Sequence, residues 1–351
     1  PCDVADRDAV LALAKDLSQR SLGEGTAKYR DLGTIANVLV LNRLGALPTR
    51  NFQQGSFEGA DGISGEAFHA SPAKLRKHCA ACTIGCEHVF GTKSGKQVRL
   101  EYEGVFALGP LCGIDDREVV LEAAALCDEL GLDVISAGGV AAFSMECVER
   151  GLLEDLPRFG DGKGLLALLE AIATRRGLGA MLAEGTRIAA ERIGGAAPSF
   201  ACHVKGLELP GYEPRALQAM ALGLAVGTRG ADHNRSGAYE EDFRPGADRL
   251  AADDTKAPAA VHTENRAALL DSLILCKFLR GVFSDLESEA ATMLQAVTGW
   301  DVSRDELLRT AERIVTLKKL FNEREGWTRA EDTLPARFLS CLLYTSPSPR
   351  D

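Results

Sequence analysis

Three cysteines fall within eight residues, in the run Cys79-Ala-Ala-Cys82-Thr-Ile-Gly-Cys86. Thiolates this close together converge on one metal centre only where the backbone between them turns tightly, and the small Ala80, Ala81 and Gly85 permit such turns. The spacing suits an iron–sulfur cluster, which takes four thiolates and so needs one more cysteine from elsewhere in the chain. Zinc is the rival metal, with His78 and His88 adjacent as further donors. Lys74, Arg76 and Lys77 lie just upstream, where they would offset the negative charge of a thiolate-bound centre.

A search for the fourth thiolate finds an internal echo. Asp128-Glu-Leu-Gly-Leu132-Asp133 and Asp271-Ser-Leu-Ile-Leu275-Cys276 share the form D-x-x-x-L at the ends of expected helices, and the second copy finishes on Cys276. A carboxylate one turn before a helix terminus, with free main-chain groups beyond it, suits a polar heterocyclic ligand. Two amphipathic helices that happen to end alike would give the same short pattern. Cys112, Cys127, Cys147 and Cys202 sit among Ala, Leu and Gly and read as small core residues.

Helices must position these groups. Val10, Leu13, Ala14 and Leu17 recur at helical spacing, as do Ile35, Val38, Leu39 and Leu44. Residues 51–64 read as loop and 97–108 as a strand. A strong helix is expected over 115–130, capped by Asp115 and stopped by Gly131. Further helices are expected over 141–150, 164–175, 178–192, 217–226, 263–283 and 303–321, with an acidic, solvated loop at 239–259. The fold class is therefore mainly α. The stretch 194–214, bearing Gly and Pro, is the expected boundary between a first domain, 1–203, and a second, 204–340. Residues 341–351 break style abruptly and read as a non-native read-through tail, so that the natural C-terminal end would lie beyond this sequence. Pro1 in place of Met points to missing upstream sequence as well.

Composition narrows the function classes. With 46% apolar and 26% charged residues the chain is an ordinary globular one. A net charge of −10 argues against a nucleic-acid surface. No unbroken apolar run is long enough to span a membrane and no secretory signal is visible, which suggests the cytoplasm. Ten cysteines without an export signal favour a metal site over disulfides.

Taken together, the cysteine trio, Glu101-Tyr-Glu103-Gly-Val-Phe-Ala-Leu-Gly, Cys127-Asp-Glu-Leu-Gly-Leu-Asp-Val-Ile-Ser, Val204-Lys-Gly-Leu-Glu-Leu-Pro-Gly-Tyr and Thr333-Leu-Pro-Ala-Arg-Phe closely resemble the aldehyde ferredoxin oxidoreductases over residues 1–340. The resemblance implies two helical domains of that type, without the family's N-terminal pterin-binding β-rich domain, so that the chain alone would hold pterins poorly. It implies tungsten, or molybdenum, between two molybdopterin dithiolenes and a 4Fe–4S cluster on Cys79, Cys82, Cys86 and Cys276. Asp128, Leu132 and Asp133 match one pterin motif and Asp271 and Leu275 the other, while Arg229 and Arg235 match pterin-contacting positions. Ile274 stands where the family usually has Gly. Glu103 and His233 match the active-site glutamate and histidine, groups able to handle a proton and to hydrogen-bond an aldehyde oxygen.

The implied activity is oxidation of an aldehyde to a carboxylic acid, with ferredoxin or a similar carrier accepting the electrons, in a protein that can be a homodimer. Two alternatives stay open: a tungstopterin reductase subunit acting on an aromatic acyl-CoA, and a non-catalytic iron–sulfur electron-transfer module. Glu101, His69, His78, His88, His203 and His262 carry no assigned role, and Trp300 and Trp327 read as packing residues.

Overall fold

The computed structural model describes residues 3–71 and 74–340, so the tail assigned to 341–351 lies outside the described residues. The chain is mainly helical, as expected, with two small sheets. One large core runs from Ile35 to Phe338 and gathers Phe52, Phe106, Phe143 and Phe200 at its centre. A smaller cluster forms around Leu269, Ala290 and Leu307. No helix is long and apolar enough to cross a membrane among the described residues.

The expected helices are present with shifted bounds. The helix at 115–130 runs Arg117–Leu130, and Asp116, not Asp115, caps it by accepting the Glu118 N–H at 2.8 Å. The helix expected at 141–150 begins earlier, at Val134, and runs to Glu149. It opens on partly buried Val134, Ile135 and Ser136 and continues through 137–142, buried nearly all round, so no amphipathic period announces it. Gly138 lies against the main chain of Ala107, where an added Cβ would sit 2.3 Å from the carbonyl oxygen. The helix expected at 263–283 is instead Lys256–Ser272, and Leu286–Thr298 is a helix that the pattern did not reveal. Residues 178–192 form two helices, Gly179–Leu182 and Thr186–Ile193.

The strand region is also larger than expected. Lys74–Lys77, Glu87–Gly91 and Gln97–Leu100 form an antiparallel sheet in that order, and Tyr102–Leu108 turns helical. The cysteine trio therefore occupies the connection between the first two strands, whose ends are tied by the Lys77–Glu87 pairing. Within it the Cys82 N–H donates to the Cys79 carbonyl at 3.0 Å, and Ala81 and Gly85 adopt left-handed φ of 57° and 60°.

The repeated D-x-x-x-L pattern has a structural cause. In both copies the helix ends in the same double-bonded C-cap, whose sixth residue donates back to the first. Leu132 N–H reaches Cys127 C=O at 2.8 Å and Gly131 N–H reaches Asp128 C=O at 3.4 Å. Leu275 N–H reaches Leu270 C=O at 2.9 Å and Ile274 N–H reaches Asp271 C=O at 3.3 Å. The capping residue must be left-handed, with φ 68° at Gly131 and 57° at Ile274. A β-branched residue pays roughly 1–2 kcal/mol in that conformation. Ile274 is 91% exposed, so its side chain recovers little by burial. Ile274→Gly is expected to stabilise the chain by about 1 kcal/mol, seen as a higher denaturant midpoint at unchanged slope; a midpoint that stays or falls would show the cap to be unstrained.

Candidate active site

Glu103 stands in the first turn of the buried helix Tyr102–Leu108, and His233 opens the short helix His233–Ser236. Asp232 caps the latter, accepting from the N–H groups of Asn234 at 2.8 Å and Arg235 at 3.1 Å. These two helices bring His233 Nε2 to 3.5 Å from Glu103 Oε1. The other carboxyl oxygen, Oε2, accepts the Gly211 N–H at 2.9 Å, and Gly211 is held in turn by Tyr102, whose hydroxyl donates to its carbonyl. Gly211 has no room for a side chain: an added Cβ would lie 2.7 Å from the Tyr102 ring.

The pair is nearly sealed, with side-chain exposures of 17% for Glu103 and 13% for His233. Burial pushes the Glu103 carboxyl up to about 8 against the Gly211 N–H, and Asp133, Glu101 and Asp232 add to the rise. Burial also pushes His233 down to about 4, opposed by Asp232 and reinforced by Lys277 and Arg280. Both groups are therefore neutral near pH 7, and their contact is an acid facing an imidazole and not an ion pair. Glu103 Oε1 is buried and has no hydrogen-bond partner among the described residues. A buried acceptor left unpaired costs stability unless a ligand completes it. Asp232 moves the opposite way: burial alone would raise it, but His233 and Arg229 outweigh that and hold it below its ordinary value.

Two cavities meet at His233. One, of about 480 Å³, is lined by Glu103 and His233 together with Tyr29, Tyr212, Tyr239 and Phe278. The other, of about 490 Å³, is lined by Asp133 from the first D-x-x-x-L element, Asp271 from the second, and Arg229, Arg235 and Lys277. His233, Asn234 and Ile135 line both. The two ends of the sequence echo thus face one space. Asp133 caps the helix Val134–Glu149 through the Ser136 N–H at 2.8 Å, Asp271 is held by Arg235 and by Lys277 at 3.4 Å, and Arg229 is paired with Asp232. Asp128 lies in the last turn of its helix, and Leu132 and Leu275 turn inward against the two cores. Three cations set among four carboxylates, Asp133, Glu208, Asp232 and Asp271, give this cavity a wall able to hydrogen-bond a polar heterocycle.

Cys276 follows the second cap directly and reaches the neighbourhood of the trio. Burial raises the Cys86 thiol to about 11, with the facing Cys276, Glu101 and Cys82 adding. Burial raises Cys276 against an N–H from Phe278, with Cys82 and Cys79 adding. All four thiols thus share one region, with Cys79 and Cys276 exposed. Among the described residues no three His, Cys, Asp or Glu side chains are drawn together as a metal-ion site. Four thiols in one region, with left-handed turns at Ala81 and Gly85, are nevertheless the kind of donor set that an iron–sulfur cluster takes.

His88 Nε2 donates to the Tyr29 carbonyl at 3.1 Å and its Nδ1 pairs with His69 Nε2 at 2.9 Å, and His78 lies beside the Cys79 carbonyl at 3.2 Å. The acidic stretch 239–242 is not a solvated loop. It forms the helix Tyr239–Asp242: Tyr239 lines the first cavity, and buried Asp242 accepts the Ala219 and Met220 N–H groups at 3.0 and 2.8 Å. Tyr212, Tyr239, Lys28 and Arg280 were not singled out from sequence, although Tyr212 ends the Val204–Tyr212 run already noted.

Comparison with known proteins gives the chain a family. The family model described as aldehyde ferredoxin oxidoreductase, domains 2 and 3, matches residues 12–350. The tungsten-containing aldehyde ferredoxin oxidoreductase of Thermococcus kodakarensis is 39% identical over 93% of this chain and 55% of its own length. That of Pyrococcus furiosus is 37% identical over the same shares. A more distant relative, the aliphatic sulfonate oxidoreductase, WOR-like subunit of Pyrococcus furiosus, is 27% identical over 97% of this chain. The chain spans little more than half the length of these relatives. In fold it is similar to the active site complex BamBC of benzoyl coenzyme A reductase, with a TM-score of 0.76 at 19% identity over 95% of this chain and 60% of that one. The match in sequence along nearly the whole chain shows that it belongs to the aldehyde ferredoxin oxidoreductase family, over the part that forms domains 2 and 3.

Proposed function

We propose that this chain carries the proton-handling groups and the cluster ligands of an enzyme that oxidises an aldehyde to a carboxylate, with ferredoxin or a similar carrier as electron acceptor. The observation that supports it most is the nearly sealed Glu103–His233 pair in the wall of the first cavity, with one carboxyl oxygen unpartnered among the described residues and His233 shared with the second cavity. The reaction balances as RCHO plus water giving RCOO⁻, three protons and two electrons. Tungstopterin, when bound, would supply two-electron chemistry and a 4Fe–4S cluster one-electron transfer. Asp133, Arg229, Arg235 and Asp271 would hold the pterin edges in the second cavity, and Cys79, Cys82, Cys86 and Cys276 the cluster.

This chain's own residues then have definite tasks. Neutral His233 presents an N–H to the aldehyde oxygen, and the Glu103 carboxylate, once deprotonated, takes a proton from the attacking water. The Gly211 N–H fixes the carboxyl in place, and Asp232 fixes the start of the histidine helix. The test is anaerobic purification of the product of the complete gene. Tungsten and iron together, with aldehyde-dependent dye reduction, are expected; iron alone with no aldehyde oxidation would sink the proposal. In the same protein Cys276→Ala is expected to remove most of the iron, and an unchanged iron content would overturn its place as fourth ligand.

A further inference from the structure

We infer that the cavity over the Glu103–His233 pair takes an aromatic aldehyde bearing a carboxylate at its far end, with Lys28 reading that carboxylate; this rests on the aldehyde-oxidising role given above. The shape of the walls is the first argument. Tyr212 and Tyr239 stack with centroids 4.9 Å apart and planes 11° from parallel, and Tyr212 lies 5.4 Å from the His233 ring. Tyr29 and Phe278 form a second face, 4.3 Å apart. Flat, rigid aromatic faces favour a flat guest by offset or edge contacts, and about 480 Å³ is the scale of a one-ring substrate.

The charge balance of the cavity is the second argument. Arg280 is matched, since it pairs with Glu240 and donates to the Tyr239 hydroxyl at 2.9 Å. Glu101 is matched by Arg99. Lys28 is not: among the described residues no carboxylate pairs with it, and its contacts are Asn37 Oδ1 at 3.5 Å and the Tyr29 ring, 4.9 Å away. Lys28 is exposed where it lines the cavity, which places it at the rim, while the reacting pair is buried. An unmatched cation beside aromatic walls selects an anion, and a planar ring is the spacer that the walls accept.

In the complete metal-loaded enzyme, 4-carboxybenzaldehyde is expected to exceed benzaldehyde in kcat/KM by about tenfold, the scale of one charge-assisted contact, with 4-(trimethylammonio)benzaldehyde the poorest. Lys28→Met should cost the carboxylate substrate about tenfold more than it costs benzaldehyde, through KM, and Lys28→Arg should restore most of it. Binding of terephthalate against benzoate gives the same comparison without turnover. Tighter terephthalate binding that depends on Lys28 therefore supports the inference even if no aldehyde is oxidised, in which case only the functional reading fails. An equal loss on both substrates would assign Lys28 to the electrostatics of the cluster, and no preference for the carboxylate in either rate or binding would overturn the inference outright.

Discussion

Glu103→Gln in the complete, metal-loaded enzyme is expected to lower kcat for aldehyde oxidation by about 10²–10⁴-fold, the usual worth of a positioned acid or base. The amide can still accept the Gly211 N–H now received at 2.9 Å, so the geometry of the site survives while its proton chemistry is lost. The pH dependence separates this from a packing defect. With burial holding the Glu103 carboxyl up at about 8, the fraction able to accept a proton grows as pH rises through that value, and kcat/KM should rise with it. His233, held down at about 4 by burial, stays neutral throughout that range. The rise should vanish in the variant.

Stability carries the same signature with a definite sign. The folded pKa of Glu103 lies above its ordinary 4.5, so its contribution is fully present below 4.5 and is lost as pH rises through about 8. Glu103→Gln should therefore gain on the wild type between pH 5 and pH 9, by more than about 1 kcal/mol, since a tenfold difference in proton affinity between the folded and unfolded chain is worth about 1.4 kcal/mol. His233 acts at the other end, its contribution present above 6.5 and lost as pH falls through about 4. A variant whose melting curves track the wild type across this range would mean that Glu103 is charged and solvated in the folded protein.

Much of the site could be read from the residues because its signals are local. Cys79, Cys82 and Cys86 occupy a single inter-strand connection, and the two D-x-x-x-L elements are single helix caps whose hydrogen bonds span six residues. Helices such as Arg117–Leu130 and Arg304–Arg324 show an apolar stripe and a capping side chain, and their positions are accordingly legible to within two or three residues. What could not be read arises from contacts between distant segments. The orphaned oxygen of Glu103 depends on Gly211 being 108 residues away in sequence and on Tyr102 pinning it there. Val134–Glu149 shows no amphipathic period because its run 137–142 of small and apolar residues is buried on nearly every side and has no polar face to alternate with. The short strands Lys74–Lys77 and Glu87–Gly91 were hidden because the first is wholly exposed and basic, and pairing alone makes it a strand. Asp242 has the composition of a surface loop, yet the unpaired N–H groups at the start of the helix Gln218–Val226 draw it inward.

Arg337 is the residue outside the reacting site whose loss should be felt most. Its Nη2 donates to Glu146 Oε1 at 2.5 Å and its Nη1 to the Asn51 carbonyl at 2.8 Å. Glu146 is completely buried and takes further bonds from Asn51 Nδ2 at 2.6 Å and Arg150 Nε at 2.8 Å. Asn51 is the middle of three successive left-handed residues, Arg50, Asn51 and Phe52, with φ of 46°, 51° and 62°. Such a run costs on the order of 1 kcal/mol or more per residue and persists only where its surroundings fix it. Here Arg337 holds Asn51, and the neighbouring Phe338 meets Phe52 edge-on at 5.3 Å. Removing one partner of a buried pair leaves an uncompensated charge, so Arg337→Met is expected to destabilise the chain by about 3 kcal/mol, near the lower end of the usual range because Arg150 remains on Glu146. Glu146→Met should cost at least as much, since it strands Arg337 and Asn51 together. The double variant decides the mechanism. If the cost is the isolated charge, Arg337→Met with Glu146→Met should lose clearly less than the sum of the two single losses. Additive losses in denaturant midpoint would instead place the whole effect in the strained Arg50–Phe52 turn and its packing against Phe338.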